Sequence, residues 1–479
     1  MATPFRHSLF LTTLLALLLS TSFALAQDDS TSKPKTSAKK TTAKTKAAST
    51  PAAKSSTAKT TSAKKTAAST DAATTKTLSQ KSDAATSKTL PVAITPASGT
   101  VYVSKNVIDV RQTANAKEAK FASVARPSAL NVFEETTAGG EKWLHVKYND
   151  GKNDVTGWVR AQFTVANRNE LVAEPYRKLD FTPQNKPKDY PGNPRVPVRG
   201  VYVSYSTAGI IAEALNKNKP NSLLNLAAKG SINAFVIDIK EDAGMMTFKT
   251  QAAEKYAPEA NKLPSVRDIN KFIQQLKAKN IYTIARIVTF KDPKYAKAHT
   301  DRCITFKADG SFYKQDDGLL WSSAYDRDLW DYDIAVAKEA AAAGFNEIQF
   351  DYVRFPETDP VKKDPLLEFH NKQNETKPEA IQNFLKKAYS ELSPLKVYVG
   401  ADVFGLIPTS PTDERIGQYW EAISNVVDYI CPMAYPSHYA NTTFGLDIPD
   451  AHPYECVLAT MRGAVNRNKA IQTPAIIRP

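Results

Sequence analysis

The sequence predicts an α/β protein: a (β/α)8-type barrel that breaks off after its seventh strand, with a small all-β barrel ahead of it. Three observations predict this. Between residues 196 and 479, short apolar strands alternate with helices seven times. No Gly-rich phosphate loop follows the first of those strands, which argues against an open dinucleotide-binding sheet. Polar and charged residues recur where successive strands end, as they do when parallel strands deliver side chains to one barrel mouth.

The N-terminus stands apart. Arg6 and His7 precede an apolar run from Leu9 to Leu19, and Ala24-Leu25-Ala26 offers small residues for cleavage. Residues 1–26 therefore read as a secretory signal peptide, which places the mature protein outside the cell, in the periplasm or at the cell envelope. No later stretch reaches the roughly 18 apolar residues of a membrane span. Residues 27–98 are rich in Lys, Ala, Thr and Ser and read as a disordered tether, because such a composition buries too little apolar surface to offset chain entropy. Within it, residues 31–90 hold 13 Lys against Asp71 and Asp83, a net +11 of the chain's +14. Residues 1–30 contribute −1, so residues 91–479 retain only +4. The basic balance belongs to the tail, which argues against a nucleic-acid partner and suits an anionic envelope.

Residues 99–165 carry strand-like runs at Val107–Val110, Ala129–Phe133, Lys142–Val146 and Thr156–Val159, with Gly139-Gly140 and Asn149-Asp150-Gly151 as turns. Five or so short strands in about sixty residues make a small barrel. The runs Asp109-Val110-Arg111-Gln112-Thr113-Ala114, Trp143-Leu144-His145-Val146-Lys147 and Gly157-Trp158-Val159 resemble bacterial SH3-type domains. That resemblance implies contact with cell-wall peptides such as those of peptidoglycan. Trp143 and Trp158 themselves read as core residues. Residues 166–195, rich in Pro, Asn and Lys, read as a linker.

The barrel elements follow in order. Strand one is Val198 to Ser204; helices cover Ala208 to Leu215 and Ser222 to Lys229; strand two is Ala234 to Ile239. Ile269, Phe272, Ile273 and Leu276 recur at helical spacing within Val266 to Lys279, ahead of strand three, Tyr282 to Val288. After a long insertion, the helix Tyr332 to Ala343 is bounded by Asp331 or Gly344, and strand four spans Glu347 to Val353. Then come helix Pro378 to Leu392, strand five at Lys396 to Val403, helix Ile416 to Asn425, strand six at Tyr429 to Met433, helix Tyr454 to Arg467 and strand seven from Pro474 to Ile477. An exposed edge beside an apolar interior is costly, so the missing eighth strand points to truncation.

Alternation puts Glu347, Gln349 and Asp351 on one face of strand four, with Ile348, Phe350 and Tyr352 on the other. The same rule groups Val236, Asp238 and Lys240, and Tyr398, Gly400 and Asp402. Arg286 lies on strand three, Arg354 follows strand four, and Tyr435 and His438 follow strand six. Paired carboxyls with arginines and aromatics around them are what glycosidic cleavage requires. One carboxyl protonates the leaving oxygen and another attacks or activates water. Trp321, Tyr352 and Tyr435 offer faces to the apolar side of a sugar ring.

Gly200-Val201-Tyr202-Val203-Ser204, Phe235 to Lys240, Ala285 to Val288, Glu347 to Pro356 and Cys431 to Tyr439 resemble a bacterial domain family of unknown function assigned to the TIM-barrel glycosidase superfamily. The resemblance covers roughly residues 196–479. It implies a TIM barrel and glycoside hydrolysis, and names no substrate.

Within that frame Asp351 is the candidate nucleophile or principal carboxylate and Asp402 the candidate acid/base. Asp238 competes for either role, binds sugar hydroxyls, or forms an ion pair with Arg286. Arg286 and Arg354 hold carboxylates ionised or bind an acidic sugar. Tyr435 and His438 line the mouth. The expected partner is a polysaccharide or cell-wall glycan; no cofactor and no metal are expected, since the six His show no ligand spacing. A serine nucleophile elbow is also missing. Cys431 reads as packed in its strand, and Cys303 and Cys456 are candidates for a disulfide. The competing class is a non-catalytic envelope protein that holds glycan on an inactive barrel.

Overall fold

The computed structural model describes residues 94–479. The predicted signal peptide and all but the end of the predicted tether lie outside the described residues. Residues 94–98, assigned to that tether, belong to the strand Ile94–Val103.

The first unit is all β. Strands Asp154–Arg160, Glu141–Asn149, Ala129–Ala138, Ile94–Val103 and Thr164–Val165 form one antiparallel sheet in that spatial order, and Val107–Val110 pairs with Ala122–Ala125. Gly139 and Gly140 turn one hairpin at φ 60° and 77°, the left-handed values that a two-residue hairpin loop demands. Val103, Ile108, Val110, Leu130, Leu144, Val146 and Val159 fill the core. Trp143 is buried, its indole N–H donating to the Ala138 carbonyl at 3.3 Å, and Trp158 stacks on His145.

The second unit holds seven parallel strands: β1 (Gly200–Val203), β2 (Ala234–Lys240), β3 (Tyr282–Val288), β4 (Glu347–Asp351), β5 (Tyr398–Phe404), β6 (Tyr429–Met433) and β7 (Ile476–Ile477). Each pairs with its neighbour in sequence, so the spatial order is β1 to β7 without reversal. A doubly wound sheet reverses its strand order at a switch point, whereas this winding is that of a barrel wall. The helices are α1 (Tyr205–Asn216), α2 (Ser222–Ala228), α3 (Gln251–Tyr256), α4 (Ile269–Lys277), α5 (Pro293–Ala298), α6 (Arg327–Ala343), α7 (Lys377–Leu392), α8 (Trp420–Val426) and α9 (Pro453–Asn468). Helix α4 buries the predicted stripe of Ile269, Phe272, Ile273 and Leu276. Helix α6 begins earlier than expected. Asp326, rather than Asp331, caps it by accepting from the Asp328 N–H, and Gly344 ends it at φ 102°. Among the described residues, no helix is long and apolar enough to cross a membrane.

Residues 166–195 are not a free spacer. Val172, Leu179 and Phe181 pack against Tyr419, Ala422 and Ile471, and the segment then crosses the N-terminal ends of the strands. The Tyr398 hydroxyl donates to the Asn193 carbonyl at 2.8 Å, Asn193 donates to the Asn346 and Lys396 carbonyls, and Arg195 pairs with Asp428 at 2.9 Å. This segment seals the floor and leaves the opposite rim for chemistry.

Two sequence expectations fail here. Strand alternation grouped Lys240 with Asp238, but β2 bulges. Asp238 pairs with Arg286 while Lys240, two residues on, pairs with Ile287. Lys240 consequently turns into the sheet–helix layer, where it binds Asp292 at 2.7 Å and also Asp333, all three fully buried. Cys303, Cys431 and Cys456 are all free and buried. Cys303 packs with Ala296 and Leu320, while Cys456 lies on α9, so each thiol is an apolar filler and the expected disulfide is not formed.

The Lys240 cluster gives a stability test. Lys240→Met leaves Asp292 and Asp333 buried without their cation, and urea unfolding should show a loss of about 3–5 kcal/mol.

Candidate active site

The rim is built from the C-terminal ends of adjacent strands, and Arg286 on β3 is its centre. Its Nη1 donates to Asp238 Oδ1 on β2 at 2.7 Å. Its Nε and Nη2 both reach Asp351 Oδ2 on β4, at 2.9 and 2.6 Å. Nη2 also lies 3.5 Å from Asp242 Oδ1. The second oxygen of Asp238 accepts from the Tyr202 hydroxyl on β1 at 2.5 Å, and Asp351 Oδ1 accepts from the Tyr352 N–H at 2.6 Å. Arg286, Asp238 and Asp351 are all buried. Burial alone would lower the Arg286 pKa, but Asp351 and Asp238 outweigh it and raise it. Burial raises the Asp238 carboxyl even against the pull of Arg286 and Tyr202, and it raises the Tyr202 hydroxyl, with Asp238 adding to the shift.

Asp402 on β5 sits differently. It is buried beside the same cluster, and among the described residues its side chain has one hydrogen bond, from the Gln349 amide on β4. Burial, reinforced by the charge of Asp351, pushes its carboxyl well above the usual carboxylate range. Gln418 braces its backbone, donating to the Asp402 carbonyl at 3.0 Å and accepting from the Phe404 N–H at 2.8 Å. The pair therefore consists of one carboxylate held by a guanidinium and one carboxyl without a cation.

The aromatic wall departs from expectation. Trp321 is 0 % exposed, its ring edge-on to Tyr352 and under the Arg354 guanidinium. It has no open face for a sugar to stack on, because Tyr352 and Arg354 pack against it. Among the described residues Arg354 pairs with no carboxylate, and the ion-pairing role expected of both arginines is filled by Arg286. Tyr352 is half-buried at the mouth, and its φ of 49° ends β4. Tyr435, 54 % exposed, stands over the cluster, and Asp402 and Asp351 add to burial in raising its hydroxyl pKa. His438 is exposed, its ring 5.3 Å from that of Tyr435.

Sequence reading missed Tyr202, Gln349 as a partner of Asp402, and Gln418. The alternation that singled out Asp402 also points to Tyr202, next to the last residue of β1. Gln418 comes from a loop and carries no such periodic signal. Among the described residues, no group of three or more His, Cys, Asp or Glu side chains is arranged to hold a metal ion.

A singly wound parallel sheet with buried carboxyls at the C-terminal ends of its strands is the architecture of a barrel enzyme. Residues 200–479 match the family described as "putative glycosyl hydrolase domain", and the chain belongs to that family. No curated protein matches the chain. Among solved structures, a hypothetical protein from Ruminiclostridium thermocellum ATCC 27405 is similar at 32 % identity, over 42 % of this chain and 97 % of that one, with a TM-score of 0.36. The PgaB (BpsB) glycoside hydrolase domain from Bordetella bronchiseptica is similar at 15 % identity, over 56 % and 82 %, with a TM-score of 0.40. The α-galactosidase TtGalA from Thermus thermophilus is similar at 10 % identity, over 74 % and 64 %, with a TM-score of 0.35.

Arg286→Met should expose the dependence of the rim on one cation. Two buried carboxylates then lose their shared partner, and thermal and urea unfolding should both report a loss of about 3–5 kcal/mol.

Proposed function

We propose that the protein is a glycoside hydrolase acting on a cell-envelope or extracellular polysaccharide, with Asp402 as general acid/base and Asp351 as nucleophile or water-activating base. One observation carries this reading. Two buried carboxyls stand on neighbouring strands β4 and β5, the first paired with Arg286 and the second without a cation and shifted toward its neutral form. In the first half of the reaction, the Asp402 proton passes to the glycosidic oxygen as the C–O bond breaks, and the leaving sugar departs neutral. Asp351 stabilises the cationic anomeric carbon by direct attack or by deprotonating a water that attacks it. In the direct route, Asp402, now ionised, takes the proton of the water that releases the sugar.

Arg286 fixes the Asp351 carboxylate so that only small reorganisation accompanies attack. Asp238, tied by Arg286 and Tyr202, keeps oxygen lone pairs for sugar hydroxyls. The exposed ring of Tyr435 supplies a stacking face, with His438 beside it. The signal-like residues 1–26 support export, and the Lys-rich tether supports retention at an anionic envelope. The N-terminal β unit, read as SH3-like, would add contact with wall peptides.

The roles separate experimentally. Asp351→Asn should lose turnover on every substrate, by about 10²–10⁴-fold, while glycan binding persists. Asp402→Asn should lose it on natural glycosides but retain much of it on aryl glycosides whose leaving group needs no proton. Persistent binding with no turnover by the unaltered protein on envelope or exopolysaccharide mixtures would instead support the glycan-holding alternative. The pH profile has a fixed sign. A general acid works only while protonated, so kcat/KM should fall as pH rises through the elevated Asp402 pKa, and the alkaline limb should vanish with aryl substrates.

A further inference from the structure

Four Lys or Arg residues of the described chain are buried: Lys240, Arg286, Lys291 and Arg354. The first three have carboxylate partners, in Asp292 and Asp333, Asp238 and Asp351, and Asp317 respectively. Arg354 has none among the described residues. Its one hydrogen bond there runs from Nη1 to the Phe355 carbonyl at 3.0 Å. Burying a cation without a counter-charge is costly, and proteins rarely tolerate it unless a ligand completes the site.

The surroundings of Arg354 are shaped for such a ligand. Its guanidinium carbon lies 5.0 Å from the ring centroid of Trp321 and 5.2 Å from those of Tyr352 and Phe404. Three rings hold the plane and leave donors at its edge, the geometry that takes a carboxylate in a two-point grip. The indole N–H of Trp321, in the ring that packs against Arg354, is itself buried without an acceptor among the described residues. Burial lowers the Arg354 pKa against the opposing charges of Glu357 and its neighbours. Location supplies the rest. Arg354 comes three residues after Asp351, and Phe404 two after Asp402, so this pocket adjoins the strand tips that carry the catalytic pair. Lys291, paired with Asp317, lies 4.5 Å from the Tyr352 centroid on that side.

We propose that Arg354, framed by Trp321, Tyr352 and Phe404, is the receptor for a carboxylate of the substrate, which makes the cleaved glycan one that contains uronic acid residues. This rests on the glycosidase reading and specifies its substrate class. Arg286 is consumed by Asp238 and Asp351; Arg354 is the cation left to read the sugar.

Calorimetry with the full-length Asp402→Asn protein, which should not consume natural glycosides, tests it. The probes are trimers of galacturonate, glucuronate and mannuronate, each paired with its neutral methyl ester, and a sulfated trimer of a neutral sugar. At least one uronate should bind about tenfold or more tightly than its ester, as expected of a desolvated charged hydrogen-bond pair. Adding Arg354→Gln should abolish that preference, and Arg354→Lys should restore only part of it because an ammonium lacks the fork. The proposal is overturned if no uronate outcompetes its ester in the Asp402→Asn protein, a result that does not depend on the second variant folding. It is equally overturned if the preference survives Arg354→Gln, or if the sulfated trimer is favoured over every uronate. Hydrolysis is assayed separately with the unaltered protein. Uronate preference without turnover supports the subsite and removes the glycosidase reading, whereas turnover confined to neutral glycans removes the subsite and keeps that reading.

Discussion

The rim depends on one buried cation. Arg286 reaches carboxylates on the strands to either side of its own, so a single guanidinium ties β2, β3 and β4 together at the point where chemistry is proposed. Two like charges about 5 Å apart repel by roughly 3 kcal/mol at an effective dielectric near 20, so Asp238 and Asp351 need a cation between them to share a buried site. Fixing the charge also fixes the geometry. Each oxygen of Asp238 and Asp351 has a donor, and neither carboxylate can rotate without breaking a bond. Asp402 lies just outside this grip, where burial, reinforced by the charge of Asp351, raises its carboxyl well above the usual range.

Below the rim, β4 acts as a polar spine. Its three inward residues each bind a different strand or the segment beyond it: Asp351 to Arg286 on β3, Gln349 to Asp402 on β5, and Glu347 to Arg478 just past β7. Burial raises the Glu347 carboxyl, and Arg478 counters it. Space for the lowest pair comes from Gly400 on β5, where an added Cβ would lie 3.2 Å from Glu347 Oε1. The interior is thus held by charge and hydrogen bonds, while Ile348 and Phe350 on the opposite face of β4 join the apolar layer, Phe350 meeting Phe384 of α7.

Much of this was legible because strand periodicity is a local property. Alternation along β4 and β5 identified Asp351 and Asp402, and the order of elements identified the winding. Lys240 was misread because a bulge of one residue reverses facing, and no residue type in Ile237-Asp238-Ile239-Lys240 announces it. Trp321 was misread because it lies in an insertion between β3 and α6, and composition does not reveal whether an insertion buries its aromatic residue or leaves it open. The floor-sealing role of residues 186–195 was hidden for a related reason. Its hydrogen bonds go to residues more than 150 positions away, and a Pro- and Asn-rich stretch reads as a spacer unless those partners are known.

The tip of β4 explains how one short segment serves two purposes. A tyrosine at φ 49° is strained by about 1–2 kcal/mol relative to ordinary backbone, and that conformation ends the strand immediately after Asp351. Bonds on both sides hold it. The Asp351 carbonyl accepts from Thr289 N–H and hydroxyl at 2.9 and 2.8 Å, and the Phe355 N–H donates to the Ile416 carbonyl at 2.8 Å. Had β4 continued straight, alternation would have carried Val353 into the barrel and sent Arg354 toward the helices. The turn instead brings Arg354 against Phe404 and Trp321, within one aromatic ring of the carboxylates. The strain at Tyr352 therefore keeps two cations apart, with Arg286 paired to Asp238 and Asp351 and Arg354 left without a carboxylate partner among the described residues.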